Sequence, residues 1–363
     1  MRCHIRANPN IQPVLGKDAF GAKISRSIFF LLKELKMIKK LKLCGFIMCA
    51  LTLLSCASTN AGSNKGSDNT KNQNPETEAN METKKDFITN GYAGDCPSEY
   101  ADFRLDGVKY GKIDHVVYHS NTCKMDRPFS ILLPASYDGV KKYPVVYFQH
   151  GIFGDENCII RDENNRIRQI TANLAADGKA PEMIFVFGHM FATDDPNQKP
   201  GFNAKDVLPY DNFVNELVND LMPYIESHYS VLTGRENTAV CGFSMGGRES
   251  LYIGLLHPEL FGYIGAIAPA PGLVPGRDGF MVHEGSFASE DMMKFPEDKP
   301  LPELVMVCCG TIDGTVGQFP KSYHKIFEKN GVEHVWFEVL SANHDSMAIR
   351  SGLYYFVSHI FKN

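Results

Sequence analysis

The sequence predicts an α/β fold: a mostly parallel central sheet with helices on both faces, in one domain. Three observations carry that prediction. Short runs rich in Val, Ile and Phe recur from about residue 95 onward. Several are apolar at consecutive positions, as strands buried on both faces must be. Amphipathic, helix-like stretches lie between them, and this alternation favours a doubly wound sheet over a sandwich.

In chain order, strands are expected at 129–133 (FSILL) and 145–149 (VVYFQ), followed by a helix over 165–176. A strand at 183–187 (MIFVF) and a helix over 212–228 come next. The run 238–241 (TAVC) leads into a helix over 246–257, and 263–267 (YIGAI) follows as a fully apolar strand. The last units are strand 304–308 (LVMVC) with helix 320–330, and strand 335–339 (VWFEV) with helix 346–361. Neither an internal repeat nor a second low-complexity linker interrupts residues 95–363, so a single domain is expected there.

The segment before that domain reads differently. Residues 37–55 combine Lys39, Lys40 and Lys42 with an apolar run from Leu43 to Leu54. That run is within the roughly 7–15 residues of a signal-peptide core and short of the roughly 20 that span a bilayer. It ends in Leu53-Leu54-Ser55-Cys56, which resembles the bacterial lipoprotein box. The expectation is export, with Cys56 carrying a lipid that anchors the protein to a membrane. An ordinary signal peptide cleaved near Ala57, or an uncleaved amphipathic anchor, is the alternative. Translation is expected to begin at Met37, which makes 1–36 a doubtful extension. Residues 56–94 are expected to be the attachment cysteine and a disordered tether. Over 57–86 there is no Leu, Ile, Val or aromatic residue, so little apolar burial offsets the entropy of ordering.

Charge divides along the same line. The chain of 363 residues has a formal net charge of −5, but residues 1–55 carry +8 and the remainder −13. An acidic body lacks the basic footprint that phosphate binding needs, which argues against a nucleic-acid partner.

The most informative stretch is Gly242-Phe243-Ser244-Met245-Gly246, a G-x-S-x-G between an apolar strand and an amphipathic helix. In that context the motif forms a sharp turn that lifts the serine above the sheet edge, with a helix N-terminus beneath it. Serine needs a base, and in this arrangement the order along the chain is Ser, acid, His, each after a strand. His344 follows strand 335–339 and is the expected base. Asp313 follows strand 304–308 and is the expected acid. Asp345 is its rival, but a carboxylate adjacent in sequence rarely faces its neighbour's Nδ1. The oxyanion donors are expected to be the backbone N–H groups of Met245 and of Ile152, in His150-Gly151-Ile152-Phe153-Gly154 after strand 145–149.

The segments YPVVYFQHGIFGDEN (143–157), CGFSMGGRES (241–250) and CGTIDG (309–314) resemble the Putative esterase family, over roughly residues 105–363. That family includes esterase D and the feruloyl and acetylxylan esterases of carbohydrate esterase family one. The resemblance implies an α/β-hydrolase fold and a serine esterase without cofactor or metal, with Ser244, Asp313 and His344 as triad. For an exported member it implies acylated plant polysaccharide such as xylan as substrate. Siderophore-ester hydrolysis or acyl transfer, known in the same superfamily, is the runner-up. A lipoprotein that captures oligosaccharide on an inactive scaffold is the alternative of another class.

Other residues stay open at this stage. His189 and Arg248 are candidates for the border of the substrate cleft. The long connection 269–293, with Phe280 and Phe287, is expected to lie over the site or to be a surface excursion. Cys96 and Cys123 are a possible disulfide in an oxidising compartment. No C-x-x-C spacing suggests zinc. Trp336 reads as packing within a strand.

Overall fold

The computed structural model describes residues 91–362. The expectations for residues 1–36, for the 37–55 signal, for Cys56 and for the tether up to residue 90 fall outside the described residues; the end of the 56–94 tether is corrected, because Tyr92–Ala93 forms an edge strand paired with Glu338–Val339.

Nine strands form one sheet: β1 (Tyr92–Ala93), β2 (Lys112–Ser120), β3 (Met125–Leu133), β4 (Val145–Gln149), β5 (Ile184–Gly188), β6 (Thr238–Phe243), β7 (Tyr263–Ile267), β10 (Leu304–Gly310) and β11 (Val335–Val339). Two short strands, β8 (Gly276–Arg277) and β9 (Val282–His283), pair as a separate hairpin. The sheet order is β1-β11-β10-β7-β6-β4-β5-β3-β2, and every pairing is parallel except those of β3 with its two neighbours. The helices are α1 (Ser98–Ala101), α2 (Cys158–Arg161), α3 (Ile167–Ala176), α4 (Ala204–Asp211), α5 (Phe213–Glu216), α6 (Met222–His228), α7 (Met245–Leu256), α8 (Phe319–Asn330) and α9 (Ser346–Val357).

The apolar runs are explained by two cores, one on each face of the sheet. In β4, Val145 and Tyr147 enter one core while Val146 and Phe148 enter the other. The first core takes Tyr210, Phe213, Leu251 and Phe327 from α4, α5, α7 and α8. The second takes Ile170 and Leu174 from α3 and Leu353 and Phe356 from α9. Burial on both faces favours apolar side chains at successive strand positions, hence consecutive Val, Ile and Phe.

Three local expectations are corrected. The strand expected at 129–133 is the end of a longer antiparallel strand whose partner, β2, has no apolar run because much of it is solvent-exposed. The helix expected over 212–228 is interrupted by a π-helical turn at Leu217–Leu221 between α5 and α6. Cys96 and Cys123 are both free thiols, and they belong to the cores on opposite faces of the sheet. Burial pushes the Cys96 thiol up to about 12 and Cys123 to about 11, which makes both unreactive.

Candidate active site

Four strand ends converge along the carboxyl edge of the sheet. β4 ends at Gln149 and leads into the His150–Gly154 loop, and β6 ends at Phe243 and leads into Ser244. β10 ends at Gly310, three residues before Asp313, and β11 ends at Val339, five residues before His344. Parallel neighbours bring their carboxyl ends to one edge, so residues 244, 313 and 344 come to the same edge although they are far apart in the chain.

Ser244 stands between β6 and α7 with φ +59° and ψ −118°, a conformation that non-glycine residues rarely adopt. Its backbone is held on three sides. The N–H donates to Ile267 at 2.9 Å, and the C=O accepts from Arg248 at 3.0 Å and Ala270 at 2.9 Å. The flanking glycines are required sterically. A Cβ on Gly246 would lie 2.2 Å from the Gln149 carbonyl oxygen, and one on Gly242 would lie 2.4 Å from that of Gly246.

His344 donates from Nδ1 to Asp313 Oδ2 at 2.8 Å. The other carboxylate oxygen of Asp313 accepts from the N–H groups of Thr315 at 2.9 Å and Val316 at 3.1 Å. Burial alone would raise the Asp313 pKa; the His344 hydrogen bond and charge, together with those two N–H groups, hold it below the ordinary carboxylate range. Asp313 therefore keeps a negative charge that fixes the proton of His344 on Nδ1 and leaves Nε2 unprotonated, as a base would need. Close approach of the His344 loop depends on Gly310, where a Cβ would sit 2.1 Å from the Ala342 carbonyl oxygen. Asp345 is turned away: its Oδ1 caps α9 by accepting from Met347 and Ala348. The Ser244 hydroxyl and the His344 ring are not hydrogen-bonded to each other. Phe243 connects them, its ring 4.4 Å from that of His344.

Facing the serine is the loop after β4. A Cβ on Gly151 would lie 3.5 Å from Ser244 Cβ, so the loop backbone runs directly alongside the nucleophile position. Among the described residues, neither the Ile152 nor the Met245 N–H makes a hydrogen bond, and Met245 opens α7, where the helix dipole adds positive potential. Sequence reasoning missed what pins this loop. His150, 2 % exposed, hydrogen-bonds through Nδ1 to the Gly151 carbonyl at 2.7 Å and accepts at Nε2 from the Met190 N–H at 3.0 Å. Burial lowers its pKa to about 4, so it stays neutral and acts as a fixed strut. Tyr210 accepts from the Phe153 N–H at 3.0 Å. Its position 57 residues along the chain gave no signal.

His189 sits beside His150, with ring centres 5.8 Å apart, and pairs with Glu156 at 3.2 Å. Arg248 does not border the cleft: it is 1 % exposed and bonds to Asp211, Glu249, Ser286 and the Gly272 carbonyl. It ties the 269–293 connection to α4 and α7, which a sequence with no contact information could not reveal. Within that connection Phe287 is buried and Phe280 is exposed. Trp336 stacks on His324 with ring centres 5.0 Å apart.

A cavity of about 350 Å³ opens beside His344, lined by Ile152, Phe153, Cys158, Asp162, Phe243 and Ser346 among others. Another of about 400 Å³, between Leu132, Ser136, Ala172 and Glu182, contains no histidine and lies apart from these groups. Among the described residues, no three His, Cys, Asp or Glu side chains converge as a metal site would require. The arrangement suits acyl transfer: an elbow serine, a histidine oriented by a carboxylate, and backbone donors without partners in the loop and the helix start on either side of the serine.

Comparison with known proteins points the same way. Residues 120–318 match the family model described as Putative esterase. A CE1 ferulic acid esterase from Anaeromyces mucronatus, solved in complex with ferulic acid, is 46% identical with a TM-score of 0.69. The likeness covers 74% of this chain and 96% of that one. The endo-1,4-beta-xylanase/feruloyl esterase of Xylanibacter ruminicola is 30% identical over 196 residues, which is 50% of this chain and 26% of that protein. Endo-1,4-beta-xylanase Y of Acetivibrio thermocellus is 26% identical over 137 residues, 11% of its length. The chain thus spans only about a quarter or less of these two curated relatives.

Proposed function

The chain belongs to the Putative esterase family, and from that premise we propose that it is a serine carboxylesterase acting on feruloyl or acetyl esters of plant cell-wall polysaccharide such as xylan. The observation that carries this reading is the hydrogen bond from His344 to Asp313 at the sheet edge that also bears the strained Ser244. The ferulic acid esterase that matches over nearly its whole length supports the substrate class.

In the proposed reaction His344 Nε2 takes the Ser244 hydroxyl proton as Oγ attacks the ester carbonyl. The oxyanion accepts hydrogen bonds from the N–H groups of Ile152 and Met245. As the tetrahedral intermediate collapses, the bond to the alcohol breaks and His344 delivers the proton to the departing alkoxide. Water then attacks the acyl-enzyme with His344 as base. The free carboxylic acid leaves and the Ser244 hydroxyl is restored. Two fixed donors suit this chemistry because removing one from such a hole costs about 10²–10³ in rate.

The proposal extends to location: export and lipid attachment at Cys56 would hold the enzyme at a membrane where polysaccharide fragments arrive. Palmitate labelling lost in Cys56→Ala supports that part, and an unlabelled wild-type chain rejects it. The activity is tested with the full chain on methyl ferulate and acetylated xylan, following release of ferulate and acetate. Turnover of at least one is expected; hydrolysis of neither contradicts the reading.

A further inference from the structure

The loop that carries Ile152 is held from behind by the 189–191 backbone. The Met190 N–H donates to His150 Nε2 at 3.0 Å, so the imidazole proton is on Nδ1 and goes to the Gly151 carbonyl at 2.7 Å. That carbonyl shares one trans peptide unit with the Ile152 N–H, and the two groups of such a unit point in opposite directions. Holding the Gly151 C=O against the imidazole therefore fixes the direction of the Ile152 N–H. It does so where a Gly151 Cβ would lie 3.5 Å from Ser244 Cβ. A second tie joins the same two segments, His189 Nδ1 to Glu156 Oε2 at 3.2 Å.

A buried arginine on another strand holds the 189–191 segment in turn. β3 pairs with β5 as far as Phe129 opposite Gly188, so Arg127, two residues on, reaches the chain just past the end of β5. Its guanidinium donates to the His189 carbonyl and, at 2.8 Å, to the Phe191 carbonyl. The His189 carbonyl and the Met190 N–H are the two ends of one peptide unit. Arg127 takes one end and His150 the other.

Arg127 is 5 % exposed, and its Nε stands 3.9 Å from Oε1 of the fully buried Glu216. Glu216 is itself fixed: it accepts from the Tyr118 and Ser120 hydroxyls and from the Cys123 thiol at 3.3 Å. Apolar side chains of similar volume are often as stable as a buried ion pair, so stability alone does not account for this one. We infer that Arg127, seated by Glu216, is a positioning residue for the oxyanion donor of Ile152. Every link donates in the same sense, from the guanidinium through the 189–190 peptide and the His150 ring to the 151–152 peptide. A chain so aligned also polarises its last N–H. This rests on the esterase reading above and adds to it a residue outside the triad and its two donors.

The test is steady-state hydrolysis of p-nitrophenyl acetate by the full chain. Wild type is compared with Arg127→Met, Arg127→Lys, His150→Leu and the Arg127→Met/His150→Leu double variant, with the thermal midpoint of each as the check on folding. Arg127→Met should lower kcat about tenfold to a hundredfold with KM within about twofold, less than the 10²–10³ for outright loss of an oxyanion donor. Arg127→Lys keeps the charge but serves one carbonyl at a time, and its kcat should fall between wild type and Arg127→Met. Because Arg127 acts through His150, the double variant should be no slower than His150→Leu, whereas independent residues multiply their losses. Multiplied losses overturn the inference, as does a kcat within about twofold of wild type in either folded Arg127 variant. A rise in KM with kcat kept overturns it too. A wild type that leaves the ester intact overturns the esterase reading itself, and the role of Arg127 with it.

Discussion

Asp313 accepts three hydrogen bonds, and one of them decides which nitrogen of His344 carries the proton. Asp313→Asn keeps the shape of the side chain but replaces a charged acceptor with an amide that can turn its NH₂ toward the imidazole. The histidine then favours the wrong tautomer, and kcat should fall by about 10³–10⁴, on the pattern of a serine-protease triad. Steady-state kinetics on methyl ferulate measures this, and a rate close to wild type would remove Asp313 from the mechanism. The parallel change Asp345→Asn should cost far less in rate, since that carboxylate caps α9 and does not face the imidazole. At this scale the sequence distinguished the two aspartates by an argument about direction, and it is Asp313 whose carboxylate meets the His344 ring. It misplaced Arg248, because a charged residue one turn after a nucleophile gives no hint that Asp211 and Glu249 will bury it.

Among the elements, the loop after β4 depends on a histidine that must stay neutral. The His150 pKa is lowered to about 4 by burial, against an ordinary value of 6.5. Between those values the unfolded chain binds a proton that the folded chain excludes. This contribution to stability is therefore complete above about pH 6.5 and is lost progressively as pH falls toward 4. Urea unfolding at pH 7 and pH 5 should show a larger loss for wild type than for His150→Gln, which has no proton to gain. Equal losses would show that His150 is not held neutral. The carboxylates with lowered pKa, Asp313 among them, lose their contribution below the ordinary carboxylate range, so the two effects separate by pH. Elements buried on both faces were legible as apolar runs, β4, β5, β7 and β10 above all. β2 was not, because a strand with one wet face alternates too weakly to stand out, and α4 was not, because Pro209 sits inside it.

At the scale of the described domain, two large cores hold the sheet from opposite sides, and that division separates Cys96 from Cys123. All six described cysteines are free. The thermal midpoint of the folded domain should therefore be the same with and without a thiol reductant. A midpoint lowered by reduction would reveal a cross-link, since a native disulfide contributes roughly 2–4 kcal/mol. The architecture was readable because strand–helix alternation is a property of the chain itself. The ring contacts of Phe202 with Phe153 and with Phe280 were not, because they join distant residues that no local pattern records together. The parallel sheet delivers the ends of β4, β6, β10 and β11 to one edge, and the central claim is that Ser244 there becomes the acyl carrier. Mass spectrometry of the full chain after a fluorophosphonate ester tests this most directly. One covalent adduct on the peptide containing Ser244, absent from Ser244→Ala along with ester hydrolysis, is the predicted result. An adduct on another residue, or hydrolysis retained in Ser244→Ala, would contradict it.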